Sequence, residues 1–223
     1  MKTFPLGLIF DLNGTMVNDM EYHIDAWSGI LNKDLNAGLT REAVKSHMYG
    51  KNSELLIRVF GEHRFTAEEM EHWSVEKEKR YQKAFLPELK LIPGLEAFLE
   101  KSFELKIPMA IGSAAIPFNI DFVLDHLHIR KYFSAIVSAE DVAISKPHPE
   151  TFLKAAALLH TDPSECLLFE DSPKGVEAGL LAGMPAVVLT TMHNRGEFSR
   201  YPNILHFIAD YGDPYIIRLT EGS

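Results

Sequence analysis

Between Leu91 and Thr191 the sequence keeps one local rhythm, and that rhythm restricts the fold more than any other feature. "PGLEAFLEKSFEL" has helical spacing with Pro93 near its start, "IPMAIGS" is a short apolar strand, and "IPFNIDFVLDHL" is helical again. "FSAIVSA", "ECLLFED" and "PAVVLTT" read as further strands, separated by the helices "HPETFLKAAALL" and "SPKGVEAGLLAG". Strand and helix in alternation predict a parallel sheet with helices on both faces, because each right-handed crossover carries the chain back over the sheet. Near the N-terminus, Pro5 to Phe10 is apolar without alternation, the pattern of a strand buried on both sides, and supplies another central strand.

Before Leu91 that rhythm is absent. "EYHIDAWSGIL" sets Tyr22, Ala26, Trp27 and Ile30 at helical spacing, and "TREAVKSHMYG" and "NSELLIRVFG" read as short helices closed by glycine. Thr66 and Glu69 form a capping box that opens a long charged helix. The expected fold is α/β, a Rossmann-like core of residues 1–16 and 90–223 with an inserted all-helical cap domain at 17–89. Hinges are expected near Met16–Asp19 and Pro87–Pro93.

Composition narrows the partners. Apolar residues make up 46% of 223 positions, enough for a substantial core. A formal charge of −9, with no run of Lys or Arg, argues against nucleic acid. The single Cys166 excludes an intramolecular disulfide and fits a reducing compartment. The apolar run before Asp11 is too short for a signal peptide, and no later segment is long enough to span a bilayer. A cytoplasmic monomer with a small-molecule partner, and neither nucleic acid nor membrane, is expected.

Ligands of open α/β sheets bind at the carboxyl ends of the strands. Four such ends carry polar residues here: Asp11 to Thr15, Ser113, the Lys146 loop, and Glu170–Asp171. The stretches "FDLNGT", "IGSAA", "SKPHPE" and "FEDSPKGVEAG" resemble, in order, the four motifs of the haloacid dehalogenase-like superfamily. The helical insertion resembles the mobile cap of its phosphoglucomutase and phosphatase branch. This resemblance covers nearly the whole chain and implies Mg²⁺-dependent phosphoryl transfer from a small phosphorylated metabolite. It implies that Asp11 is the nucleophile and forms a phosphoryl-aspartate. It further implies Mg²⁺ ligands from the Asp11 carboxylate, the Asn13 carbonyl and Asp171, with Glu170 assisting directly or through water. Lys146 would hold the nucleophile and a phosphoryl oxygen. Ser113, with N–H groups around Leu12, Asn13 and Ala114, would cradle the remaining oxygens. Asn119 sits where some relatives carry a substrate-side asparagine, and His23 where the phosphoglucomutase-like branch has an active-site histidine. Plain alternatives stand beside each assignment: turn or cap residues for Asp11, Ser113 and Glu170–Asp171, a solvated loop lysine for Lys146, packing for Asn119 and His23.

Position 13 departs from the pattern. The phosphoryl-transferring relatives carry a second aspartate there, which protonates the leaving oxygen and later activates water. Asn13 keeps the backbone carbonyl and loses the proton chemistry, so metal and phosphate binding are expected to survive with slow turnover. Three explanations remain open: an engineered substitution, a natural one with His23 relaying protons, or a degenerate phosphate-ester binder. The dehalogenases proper also lack the second aspartate, but they lack the metal-binding acidic pair that Glu170 and Asp171 provide here. In the phosphoglucomutase relatives the cap holds a second phosphate with basic residues. The matching "HMYGKNSELL" has Tyr49 and Ser53 at the telling places, with only Lys51 and Arg58 nearby. A hydrolase of a small monoester, such as a sugar phosphate, is the expected function; mutase-type transfer and non-catalytic binding are the alternatives.

Overall fold

The computed structural model describes residues 5–221. Strand β1 (Gly7–Phe10) is followed by four helices, α1 (Met20–Ser28), α2 (Arg41–His47), α3 (Asn52–Phe60) and α4 (Ala67–Phe85). Then come α5 (Leu95–Glu104), β2 (Met109–Gly112), α6 (Pro117–His126), β3 (Ala135–Val137) and α7 (Glu150–Leu158). The chain continues through β4 (Cys166–Glu170), α8 (Pro173–Leu181), β5 (Ala186–Leu189), β6 (Ile204–Ile208) and α9 (Pro214–Glu221). The strands make one six-stranded sheet ordered β3-β2-β1-β4-β5-β6, and every pairing is parallel.

Successive residues of a strand face opposite sides, so each strand feeds two different layers. Ile9, Ala110 and Leu168 join an aliphatic cluster with Phe152 and Ala155 of α7 and Ala178 of α8. Phe10 and Phe169 stack on the other face with ring centroids 4.7 Å apart, and Phe98 of α5 and Tyr211 pack against them. Burial of each such side chain contributes about 1.5–3 kcal/mol. The topology matters because strand order reverses about β1: the chain runs outward to β3, returns to β4, and runs outward again to β6. Such a reversal opens a crevice beyond the carboxyl ends of the two strands that flank it, here β1 and β4.

Two compact units result, Met1–Asn18 with Lys90–Ser223, and Asp19–Leu89. Where the chain leaves and re-enters the first unit, Val17 and Leu91 form an antiparallel bridge and Ile92 N–H donates to the Met16 carbonyl at 2.9 Å. The second unit is all helical, around Trp27, Ile30, Leu31, Val44, Leu55 and Leu56. Three details differ from the sequence expectation. Strand β6 was not expected, because it is a half-exposed edge whose Leu205 faces solvent and whose centre is His206. Helix α1 passes into a π-helical turn, Gly29–Asp34, closed by Leu35 N–H to the Ile30 carbonyl at 3.0 Å; this wider turn turns Ile30 and Leu31 into the core. Helix α2 ends at His47, so Gly50 lies beyond its cap, whereas Gly61 does close α3. Among the described residues no helix is long and apolar enough to cross a membrane.

Candidate active site

Beyond β1 the backbone folds into a tight turn. The Leu12 carbonyl accepts from the N–H groups of Thr15, Met16 and Val17, and Gly14 N–H donates to the Val17 carbonyl at 2.8 Å. Gly14 has φ +78°, and a Cβ there would lie 2.1 Å from Asp171 Oδ2. Glycine is thus required twice, for the left-handed conformation and for the close approach of the Asp171 carboxylate. Thr15 Oγ1 faces Asp171 Oδ1 at 3.5 Å, a long contact from a fully buried hydroxyl. The turn therefore brings the first and fourth sequence motifs together.

Lys146 ties the third motif to both. Its Nζ donates to Asp11 Oδ1 at 2.7 Å and to Glu170 Oε1 at 2.9 Å, and lies 4.5 Å from the Phe152 ring centroid. Burial pushes the ammonium toward its neutral form, but the charges of Asp11 and Glu170 outweigh burial and raise the pKa above the ordinary lysine value. Lys146 is a fixed cation at neutral pH. Glu170 is engaged on both oxygens: Oε2 accepts from Asp171 N–H at 2.8 Å, Ser172 N–H at 2.8 Å and Ser172 Oγ at 3.0 Å. A Cβ on Gly175 would sit 1.7 Å from Glu170 Oε1, so the first turn of α8 is shaped around this carboxylate. Ser172 caps that helix by accepting from Gly175 N–H at 3.0 Å.

The second motif stands at the end of β2, next to β1. Ser113 is buried, its N–H donates to the Val137 carbonyl, and its Oγ accepts from Ala115 N–H at 3.1 Å. Ala114, half-buried, follows it. Asn119, in the first turn of α6, is fully buried, and among the described residues neither atom of its carboxamide has a hydrogen-bond partner. Asn13 is half-buried and bridges to Val17. Asp11, Lys146, Glu170 and Asp171 thus form one cluster with the turn, and Ser113 lies at the same end of the sheet.

His23 belongs to the helical unit and sits in a second buried cluster. Lys77 Nζ lies 2.8 Å from His23 Nδ1 and 2.8 Å from Glu78 Oε1, and Asp19 Oδ2 lies 3.3 Å from His23 Nε2. A lysine ammonium only donates, so Nδ1 accepts and the ring proton sits on Nε2, toward Asp19. Tyr81 stacks on the imidazole and donates to Asp19 Oδ2 at 2.6 Å. Both ring nitrogens are therefore occupied, which is poor geometry for a freely exchanging proton relay.

Two residues of this end of the sheet escaped sequence reasoning. Thr191 Oγ1 donates to the Gly14 carbonyl and Tyr211 OH to the Thr15 carbonyl. Neither lies in a motif, and a hydroxyl that meets a distant carbonyl leaves no periodicity or spacing to read. Burial raises the Tyr211 phenol well above its ordinary pKa, with Asp11 and Asp171 adding to the shift, so it remains a donor. Cys166 is buried at the start of β4, and burial pushes its thiol up to about 11, so it is no nucleophile at neutral pH.

In donor chemistry the cluster suits a small hard cation. Among the described residues no group of three or more His, Cys, Asp or Glu side chains is placed to hold a metal ion. Carboxylates, a backbone carbonyl and water are nevertheless the kind of oxygen ligands that magnesium accepts, and Asp11, Asp171 and the Asn13 carbonyl supply that chemistry at this end of the sheet.

The chain is thus an α/β protein whose parallel, Rossmann-like sheet carries a lysine-bridged acid cluster at its switch point. The chain belongs to the haloacid dehalogenase-like hydrolase family, whose pattern matches residues 8–189. It is 29% identical over 188 residues to the fructose-1-phosphate phosphatase YqaB of Escherichia coli (strain K12), covering 81% of this chain and 94% of that protein. It is 34% identical over 197 residues to a beta-phosphoglucomutase of Bacillus subtilis (strain 168), covering 81% of each. The crystal structure of a beta-phosphoglucomutase from Clostridium difficile superposes with a TM-score of 0.80 at 26% identity, covering 97% of both chains. The chain is an enzyme of the haloacid dehalogenase-like phosphatase/hydrolase kind.

Proposed function

We propose that this chain is a Mg²⁺-dependent phosphatase of a small phosphate monoester, a sugar phosphate in particular, working through a phosphoryl-aspartate on Asp11. The observation that carries the reading is Lys146, a buried cation donating to Asp11 at 2.7 Å and to Glu170 at 2.9 Å beside the turn that Asp171 packs on. Such a cluster binds a dianion next to a nucleophile and offsets their mutual repulsion. Ser113 and the N–H groups near Ala114 take the other phosphoryl oxygens. The Asp11 carboxylate attacks phosphorus in line, the P–O bond to the alcohol breaks, and water later cleaves the acyl phosphate to return free Asp11 and phosphate. Asp11, the Asn13 carbonyl and Asp171 would hold magnesium, which when bound would neutralise charge on the phosphoryl group. Glu170, with its oxygens taken by Lys146 and the Asp171–Ser172 turn, contributes by fixing both, and would assist magnesium only indirectly.

Asn13 cannot donate or accept the proton that the leaving oxygen and the attacking water exchange. That proton must come from solvent, which lowers turnover by roughly 10²- to 10⁴-fold. Within the core unit Asn119, whose buried carboxamide has no hydrogen-bond partner among the described residues, is the proposed substrate contact, whereas His23, engaged at both ring nitrogens, is left to the helical unit. A hydrolase is favoured over a mutase by Arg58: its guanidinium donates to the carbonyls of His47 and Tyr49 and stacks on the Tyr49 ring at 3.7 Å, so it is committed to holding its own unit rather than a second phosphate. The test is Mg²⁺-dependent phosphate release from a panel of esters, comparing the chain with Asn13→Asp. A gain of two or more orders of magnitude supports the disabled-catalyst reading. Absence of release from both forms, with an ester still bound, replaces it with a phosphate-ester binder.

A further inference from the structure

The turn that carries Asn13 is held by its backbone from the far end of the chain. Thr191 Oγ1 donates to the Gly14 carbonyl at 2.7 Å, and Tyr211 OH to the Thr15 carbonyl at 3.1 Å. The carbonyls around them are held as well: that of Leu12 by N–H groups of the turn, that of Met16 by Ile92 N–H and that of Val17 by Gly14 N–H. Tyr211 also reaches the second linker, since its own N–H donates to the Pro93 carbonyl at 2.9 Å. Gly94, with φ +81°, lets that segment in, because a Cβ there would lie 2.6 Å from the Tyr211 carbonyl carbon. The ring is 2% exposed and packs among Phe10, Phe98 and Phe169. A phenylalanine would fill the same space. What the hydroxyl adds is the bond to Thr15.

A six-residue turn pivoting on a left-handed glycine has alternatives close in energy, whereas a carbonyl offered to a small cation must be aimed to within about 0.5 Å. Residues that orient ligands in this way are worth roughly 10- to 100-fold in metal affinity. We propose that Tyr211 and Thr191 are positioning residues that clamp the Gly14 and Thr15 carbonyls and so aim Asn13 and Asp171 at magnesium and the phosphoryl group. This rests on the phosphatase reading above.

The test uses Tyr211→Phe and Thr191→Val, which remove one hydroxyl each at nearly constant volume, and Thr191→Ser, which keeps it. Mg²⁺ affinity is measured by calorimetry with inorganic phosphate present, amide exchange at Gly14 by NMR, and global stability by urea unfolding. Tyr211→Phe and Thr191→Val are each expected to weaken Mg²⁺ binding about tenfold and to speed Gly14 exchange about tenfold relative to the sheet amides. Thr191→Ser is expected to stay within about twofold of the parent. Unchanged affinity and exchange in both hydroxyl-less variants overturn the clamp, and so do changes no larger than the loss of global stability accounts for. If parent and Asn13→Asp bind no Mg²⁺, the phosphatase reading is what fails, and Gly14 exchange still decides whether the clamp exists.

Discussion

Two buried lysines, one in each unit, make a natural comparison. Lys146 sits between Asp11 and Glu170, and Lys77 between His23 and Glu78; all but a few per cent of each is out of solvent. Around Lys146 the acceptors are fixed by backbone: Glu170 takes two N–H groups and a hydroxyl on the oxygen that Lys146 leaves alone. Around Lys77 the acceptors hang on helices. Glu78 Oε1 takes Lys77 and Asn52, while its Oε2 is buried with no partner. An unmet buried acceptor costs about 1–3 kcal/mol. The first cluster is held by backbone donors, whereas the second leaves one buried carboxylate oxygen unmet among the described residues.

The largest effect separates chemistry from scaffolding. In the Asn13→Asp background, Asp11→Asn is expected to lower phosphate release by roughly 10⁴- to 10⁶-fold without loss of fold by circular dichroism; activity within tenfold of the parent would remove Asp11 as nucleophile. Next comes the comparison itself. Glu170→Gln forfeits charge-assisted bonds to four donors and is expected to cost at least about 3 kcal/mol in urea unfolding, against about 1 kcal/mol or less for Glu78→Gln. Equal losses would erase the distinction between backbone-held and helix-held acids. A smaller effect is expected from Gly14→Ala, which combines left-handed strain with the 2.1 Å approach to Asp171 and is expected to cost about 2 kcal/mol and most of the Mg²⁺ affinity. Gly38→Ala, at φ +66° with nothing within 4 Å, isolates the strain at about 1 kcal/mol and is the control.

The smallest effect is a pH dependence at Cys166. Its folded thiol holds the proton to about 11, whereas the unfolded thiol releases it near 9.0. Stabilisation from the neutral buried thiol is therefore complete below about pH 9 and lost as pH rises toward 11. Cys166→Ala is expected to flatten the stability curve over that interval. An unchanged slope would assign alkaline sensitivity to other groups.

The legible parts of this molecule are those where local sequence and three-dimensional placement coincide. Strands such as "GLIF" are buried on both faces and read as unbroken apolar runs, and their last residues are the ones that meet at the switch point. Edge strand β6, with Leu205 outward and His206 at its centre, carries no such run. Asp11, Ser113, Lys146 and Asp171 each carry a contiguous motif. Tyr211 and Thr191 do not, since their partners are carbonyls of a turn nearly two hundred positions earlier. In α4 the run of charges hides burial: Lys77 and Glu78 lie inside among exposed neighbours of the same residue types, and only contacts from α1 and α3 tell them apart.

The antiparallel bridge between Val17 and Leu91 has a consequence for redesign. The outgoing and returning segments lie side by side there, tied by this isolated bridge rather than by the sheet itself. Whatever is spliced between those two residues inherits a ready-made pair of adjacent attachment points. A different insert joined at Val17 and Leu91 would therefore meet a closed pair of ends rather than a loose loop.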